Sequence, residues 1–148
     1  MPFLKSERGQ SVVELALTLP IIVFILIGGA DLARAFAMQL AVQNGARAGA
    51  EAVAIDFSPT ASLAEARARD EMARTPGMDG NVPTVTVTFR QADGLTTCLT
   101  TPVVATPCYA TVRVQYTYNA VIPWPLVPNT ANFDRSTTMR TIKGGPGQ

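Results

Sequence analysis

The sequence predicts an α+β protein: a long N-terminal helix that begins as a transmembrane segment, then a head with a short second helix and a roughly three-stranded antiparallel sheet. Three observations lead there. A 20-residue apolar run, Ser11–Ala30, stands near the start of a 148-residue chain. Alanine-rich sequence without proline continues it to Ile55. From Asn81 on, alanine gives way to alternating threonine and valine.

The apolar run is about the length needed to cross a ~30 Å hydrocarbon core as a helix. It carries one charge, Glu14, one proline, Pro20, and the glycines Gly28 and Gly29. Mean hydropathy of the chain is +0.19 and only 16% of residues are charged, against about 25% in an average soluble domain. An unbroken helix from Ser11 to Ile55 would be about 67 Å long at 1.5 Å per residue. In its second half Ala33, Ala37, Ala41, Gly45 and Gly49 recur at every fourth position. Small residues so spaced let another backbone approach closely. The sequence leaves open whether that neighbour is this chain's own sheet or another subunit.

Ser58-Pro59 breaks the helix. Either Ser58 caps a second helix with Pro59 in its first turn, or the helix starts one turn later at the capping box Ser62-Leu63-Ala64-Glu65. It runs to about Arg74, before Thr75-Pro76-Gly77. Arg67, Arg69, Asp70, Glu71 and Arg74 read as its solvated face. Val85, Val87 and Phe89 alternate with threonines, and Val112, Val114, Tyr116 and Tyr118 alternate with polar residues, as half-buried strands do. Phe133–Lys143 is β-prone but weakly patterned, which suggests an edge strand.

Two loops stand out. Gln91–Tyr109 holds the chain's two cysteines, Cys98 and Cys108. A disulfide between them would close an 11-residue loop and contribute roughly 2.5–3 kcal/mol. Ala120–Thr130 is apolar and rich in proline, and Trp124 at its centre is a candidate partner surface.

Composition excludes much. The chain has no histidine, so a Ser-His-Asp triad, a Cys-His dyad and His-based metal sites are ruled out. Two cysteines cannot make an all-cysteine zinc site. A net charge of +1 is too small for binding by phosphate neutralisation. Asp70 and Glu71, adjacent in a helix, face different directions and make a poor catalytic pair. The expectation is no enzyme, no metal or other cofactor, no nucleic acid and no small-molecule substrate.

The remaining signal lies where the apolar run begins. Gly9 ends a short basic leader, and Glu14 follows as the fifth residue after it. A carboxylate placed there is costly to insert in lipid and needs a partner. The arrangement resembles the processing site of type IV pilin-like proteins. More narrowly, Arg8–Pro20 (RGQSVVELALTLP), Gln43–Ala50 (QNGARAGA) and Ser136–Arg140 (STTMR) resemble TadE-like proteins of the tight-adherence (Flp, type IVc) pilus system. The resemblance implies cleavage between Gly9 and Gln10 by prepilin peptidase. It implies that Glu14 pairs with the new amino terminus of a neighbouring subunit. The partners it implies are the lipid bilayer, other pilin or pseudopilin subunits and the pilus assembly machine. Major pilins of the system carry tyrosine after the glutamate, where this chain has Leu15, and are little more than a leader and a helix.

The expected organisation is a leader over 1–9, a transmembrane helix over 10–30, its extension over 31–57, an extracytoplasmic head over 58–143 and a disordered tail over 144–148. Lys5 and Arg8 precede the span and Arg34 and Arg47 follow it, a tie in the positive-inside count. The short N-terminal side and the resemblance put the head outside the cytoplasm and the anchor in a bacterial inner membrane. The expected function is that of a minor pilin or pseudopilin-like component acting by subunit packing. Two alternatives stand beside it: a secreted α+β domain cut after Ala30, and an uncut membrane-anchored scaffold.

Overall fold

A computed structural model describes residues 9–80, 82–98, 107–123 and 128–142. The elements run α1 (Gln10–Ala54), α2 (Ala61–Ala73), β1 (Thr84–Gln91), β2 (Cys108–Asn119) and β3 (Thr130–Arg140). The three strands form one antiparallel sheet in the order β1-β2-β3. This is the α+β arrangement expected from the sequence.

The chain divides into two compact units, residues 1–34 and 35–148. In the first, α1 continues through Pro20, Gly28, Gly29 and Ala30 without a break. Pro20 has no N–H to offer the carbonyl one turn back. Val12, Leu15, Leu17, Ile21, Phe24 and Ile25 are all exposed. Soluble monomers rarely expose apolar surface on that scale.

The second unit has a core of its own. Residues 38–53 of α1 bury Met38, Ala41, Val42, Ala46, Ala50 and Val53, one face of a 3.6-residue helix. α2 buries Ala64, Ala68 and Met72. From the sheet come Phe89, Ala110, Val112 and Val114, all in one hydrophobic cluster with the helical residues.

The helices meet through small residues. A methyl group added at Gly49 would lie 2.7 Å from the Ala64 carbonyl oxygen and 3.2 Å from a Val112 methyl. At Gly45 it would meet the flexible Met72 side chain at 2.6 Å and the Ala68 carbonyl oxygen at 3.1 Å. The neighbour of the small stripe is therefore this chain's own α2 and β2. The stripe does not extend to its first two members, because Ala33 and Ala37 are exposed. Steps of four residues drift about 40° each on a helix of 3.6 residues per turn, so Ala33 has turned away from the face that Gly49 shares.

Neither serine caps α2. Thr60 does, its hydroxyl accepting the Leu63 N–H at 3.2 Å. The Ser58 N–H is taken by Asp56, and Pro59 is fully buried. Arg69 is also more than a solvated charge. It pairs with Glu65 at 2.7 Å and donates to the carbonyls of Gly80 and Pro83 at 3.1 and 3.2 Å, which leads the chain into β1. Gly80 is obligatory there, since a Cβ would sit 2.4 Å from the Arg69 carbonyl oxygen.

β2 is longer than expected, and β3 starts and ends three residues earlier. β3 alternates between half-buried and exposed along its whole length. Its inward positions include Arg135 and Thr137 beside Phe133 and Met139, which hides the pattern in the sequence. The face of the sheet opposite the core is polar. Thr111 and Thr138 share a hydrogen bond at 2.8 Å, Thr117 donates to Asn132 at 2.9 Å, and Arg113 pairs with Asp134.

Two outcomes are expected. Gly49→Ala should destabilise the head by about 1–2 kcal/mol, because overpacking outweighs the roughly 1 kcal/mol of added helix propensity. Gly45→Ala should cost less, since Met72 can move. Urea unfolding of the full chain in detergent measures both, and a stabilised Gly49→Ala would contradict the close approach. The second concerns Asp134, held below the usual carboxylate range by hydrogen bonds from Arg113, which outweigh an opposing desolvation, with Gln115 adding to the lowering. Its stabilising contribution should be complete above the unfolded value of about 3.9 and be lost as pH falls through the lowered folded value. Thermal melts of wild type and Asp134→Asn should therefore converge in acid and separate at neutral pH.

Candidate functional site

Gly9 and Gln10 stand at the opening of α1. The Gly9 carbonyl accepts the Val13 N–H at 3.3 Å and so starts the helical ladder. Gln10 is the first helical residue. Both are exposed, and nothing lies within 4 Å of where a Gly9 Cβ would be. The bond between them sits in open space at a helix end.

One turn further on is Glu14, also exposed. The Gln10 side-chain amide donates to its Oε1 at 3.0 Å, and its backbone carbonyl accepts the Thr18 hydroxyl at 2.6 Å. No cation pairs with the Glu14 carboxylate among the described residues. A single amide leaves much of a carboxylate's hydrogen-bonding capacity unmet. Glu14 and Gln10 are thus brought together on one helix face. α1 is, by length and composition, long and apolar enough to cross a membrane.

The far end of the apolar stretch is marked by Asp31, which is buried and lies 3.9 Å from Arg34. Further along, Gly45 and Gly49 are buried, and Arg47 pairs with Glu51 at 2.7 Å on the exposed side. These features share one helix with Gln10 and Glu14, and Gly9 directly precedes it. Residues 9–51 match the model of the TadE-like protein family.

The TadE-like segment holds Gly9, Gln10, Glu14 and the whole small-residue series from Ala33 to Gly49. The match suggests a component associated with the tight-adherence pilus. The head strands, including Ser136–Arg140, lie outside the matched residues. Neither a curated protein nor a solved structure matches the chain.

Cys98 and Cys108 are joined in a disulfide, with their Cα atoms 5.6 Å apart. Cys108 opens β2 opposite Gln91, so the bond ties the connection after β1 to the first residue of the central strand. Trp124, together with the leader and the tail at 144–148, lies outside the described residues. Among the described residues no group of acidic or cysteine side chains could hold a metal ion. A shallow hollow on the polar sheet face is lined by Thr86, Thr88, Thr111, Arg113, Asp134 and Ser136.

Removal of the disulfide is expected to cost roughly 2.5–3 kcal/mol. Cys98→Ala/Cys108→Ala should show this in urea unfolding, and a thiol probe should label neither cysteine in the unreduced native chain. Labelling of both would sink the pairing.

Proposed function

We propose that this chain is a minor pilin or pseudopilin-like subunit for assembly of a tight-adherence pilus, working by packing and not by catalysis. The match of residues 9–51 to TadE-like proteins carries the reading. In it, residues 10–30 of α1 lie in the inner membrane and the head is extracytoplasmic. Prepilin peptidase cuts between Gly9 and Gln10. Glu14 then pairs with the new amino terminus of a neighbouring subunit.

Physical chemistry supports each step. The Gly9–Gln10 bond is open to an enzyme. Once it is cut, a cationic amine appears one helical turn from a carboxylate that, among the described residues, is served by one amide. In a low-dielectric surrounding such a charge gains strongly from an opposite charge. Pairing between neighbours would fix the axial position of one helix against the next, while the exposed apolar side chains supply contact area. Leu15 in place of tyrosine favours a second version of this reading, an uncut scaffold that keeps its leader. A secreted form cut after Ala30 is less well supported, because helix runs unbroken through that site.

The mature N-terminus, read by mass spectrometry from the native membrane fraction, separates these versions. Gln10 is expected. An intact leader would indicate the permanent anchor, and Asp31 would exclude a membrane helix in the mature chain. Glu14→Ala should insert normally and reduce piliation by an order of magnitude or more, and full piliation in that variant would refute the role given to the carboxylate.

A further inference from the structure

The two outer edges of the sheet are not alike. β1's outer edge is partly closed by the segment that follows it: Gln91 N–H donates to the Thr96 carbonyl at 2.8 Å, Cys98 N–H to the Phe89 carbonyl at 3.4 Å, and Arg90 bridges to Thr97. Among the described residues β3 has no such cover. It is 11 residues long, and among the described residues no strand or bridge pairs with its outer side. It contains no proline and keeps unbroken register with β2, so it lacks two of the devices by which edges are normally blunted.

The hydrogen bonds fix which β3 residues face outward. Thr141 N–H donates to the Cys108 carbonyl and Ala120 N–H to the Asn129 carbonyl. With the register of β2 and β3, odd-numbered β3 residues bond β2. In an antiparallel ladder the alternate residues point their N–H and C=O the other way. Those of Asn132, Asp134, Ser136, Thr138 and Arg140 therefore form the free edge.

Charge selects a register for self-pairing. A two-fold axis through Asp134 would oppose two carboxylates, and one through Arg135 two guanidinium groups. An axis through Ser136 sets Arg140 against Asn132. An axis through Thr137 places Asp134 of each copy opposite Arg140 of the other, with Ser136 opposite Thr138. Arg140 is exposed, and no carboxylate pairs with it among the described residues. Asp134 already holds Arg113 and would then lie between two cations on the polar face. We propose that β3 is a self-association edge, pairing antiparallel with β3 of a second copy about Thr137 to make one continuous six-stranded sheet. This rests on the head alone and not on membrane anchoring or processing.

The test uses the full chain in detergent and in native membranes. Its two cysteines are joined, so Thr137→Cys adds the only free thiol. Two residues opposed at a non-hydrogen-bonded position have closely spaced Cβ atoms. Mild oxidation should therefore give a covalent homodimer on a non-reducing gel. Adding Thr138→Pro should cut the yield at least tenfold, because it removes an outward N–H and leaves the backbone bonds to β2 in place, losing only the Thr111–Thr138 hydroxyl contact there. Arg140→Glu should cut it several-fold. A folded Thr137→Cys chain that stays monomeric, a dimer yield unmoved by Thr138→Pro, or cross-linking to a different protein would overturn the proposal. Should the cysteine variant fail to fold, sedimentation of the unmutated chain decides: a dimer weakened by Arg140→Glu supports the pairing, and a monomer at high concentration refutes it.

Discussion

The separation between α1 and α2 is set by glycine and alanine. At Gly49 a single missing methyl group lets α1 approach the Ala64 carbonyl and a Val112 methyl together, so one position governs both the helix pair and the distance from helix to sheet. The rest of the head follows from that spacing. Ala68 and Met72 fill the gap beside Gly45. Thr60 fixes where α2 begins, and Arg69 holds the carbonyls of Gly80 and Pro83 just before β1 starts at Thr84. The register of β1 on β2 is thereby tied to the helix packing above it.

One hydrogen-bonded helix carries two compositions with two physical outcomes. From residue 38 on, small and sulfur-containing residues build a close-packed interior. Between residues 12 and 27, leucine, isoleucine, valine and phenylalanine are exposed. The first kind of surface is satisfied by the chain itself. The second is apolar surface on a scale that soluble monomers rarely expose, and it lies within the segment that matches the TadE-like model.

What could be read from the sequence was what depends on local pattern. Threonine–valine alternation located β1 and β2, and apolar length located the first half of α1. The Gly9–Glu14 spacing was visible for the same reason. What could not be read depended on neighbours distant in sequence. Thr60 rather than Ser58 or Ser62 caps α2 because Pro59 is buried and Asp56 takes the Ser58 N–H. Arg69 looked like a surface charge because its acceptors are backbone carbonyls, which no side-chain pattern announces. Ala33 and Ala37 were grouped with Gly49 because a four-residue step ignores the drift that carries them out of its face. Arg135 and Thr137 stand on the inward side of β3, where an apolar pattern would have marked the strand.

The core owes its fit to methionine. Met38 and Met72 are the largest fully buried side chains, Met78 is nearly so, and the Met38 methyl reaches to within 3.6 Å of the Cβ position at Gly77. Unbranched thioethers can follow an interior made irregular by glycine and alanine. They also make the head chemically self-reporting. Both side chains are buried, so conversion of Met38 or Met72 to the sulfoxide requires the interior to open to an oxidant first. Their oxidation rate thus counts openings of the interior, whatever happens at the surface.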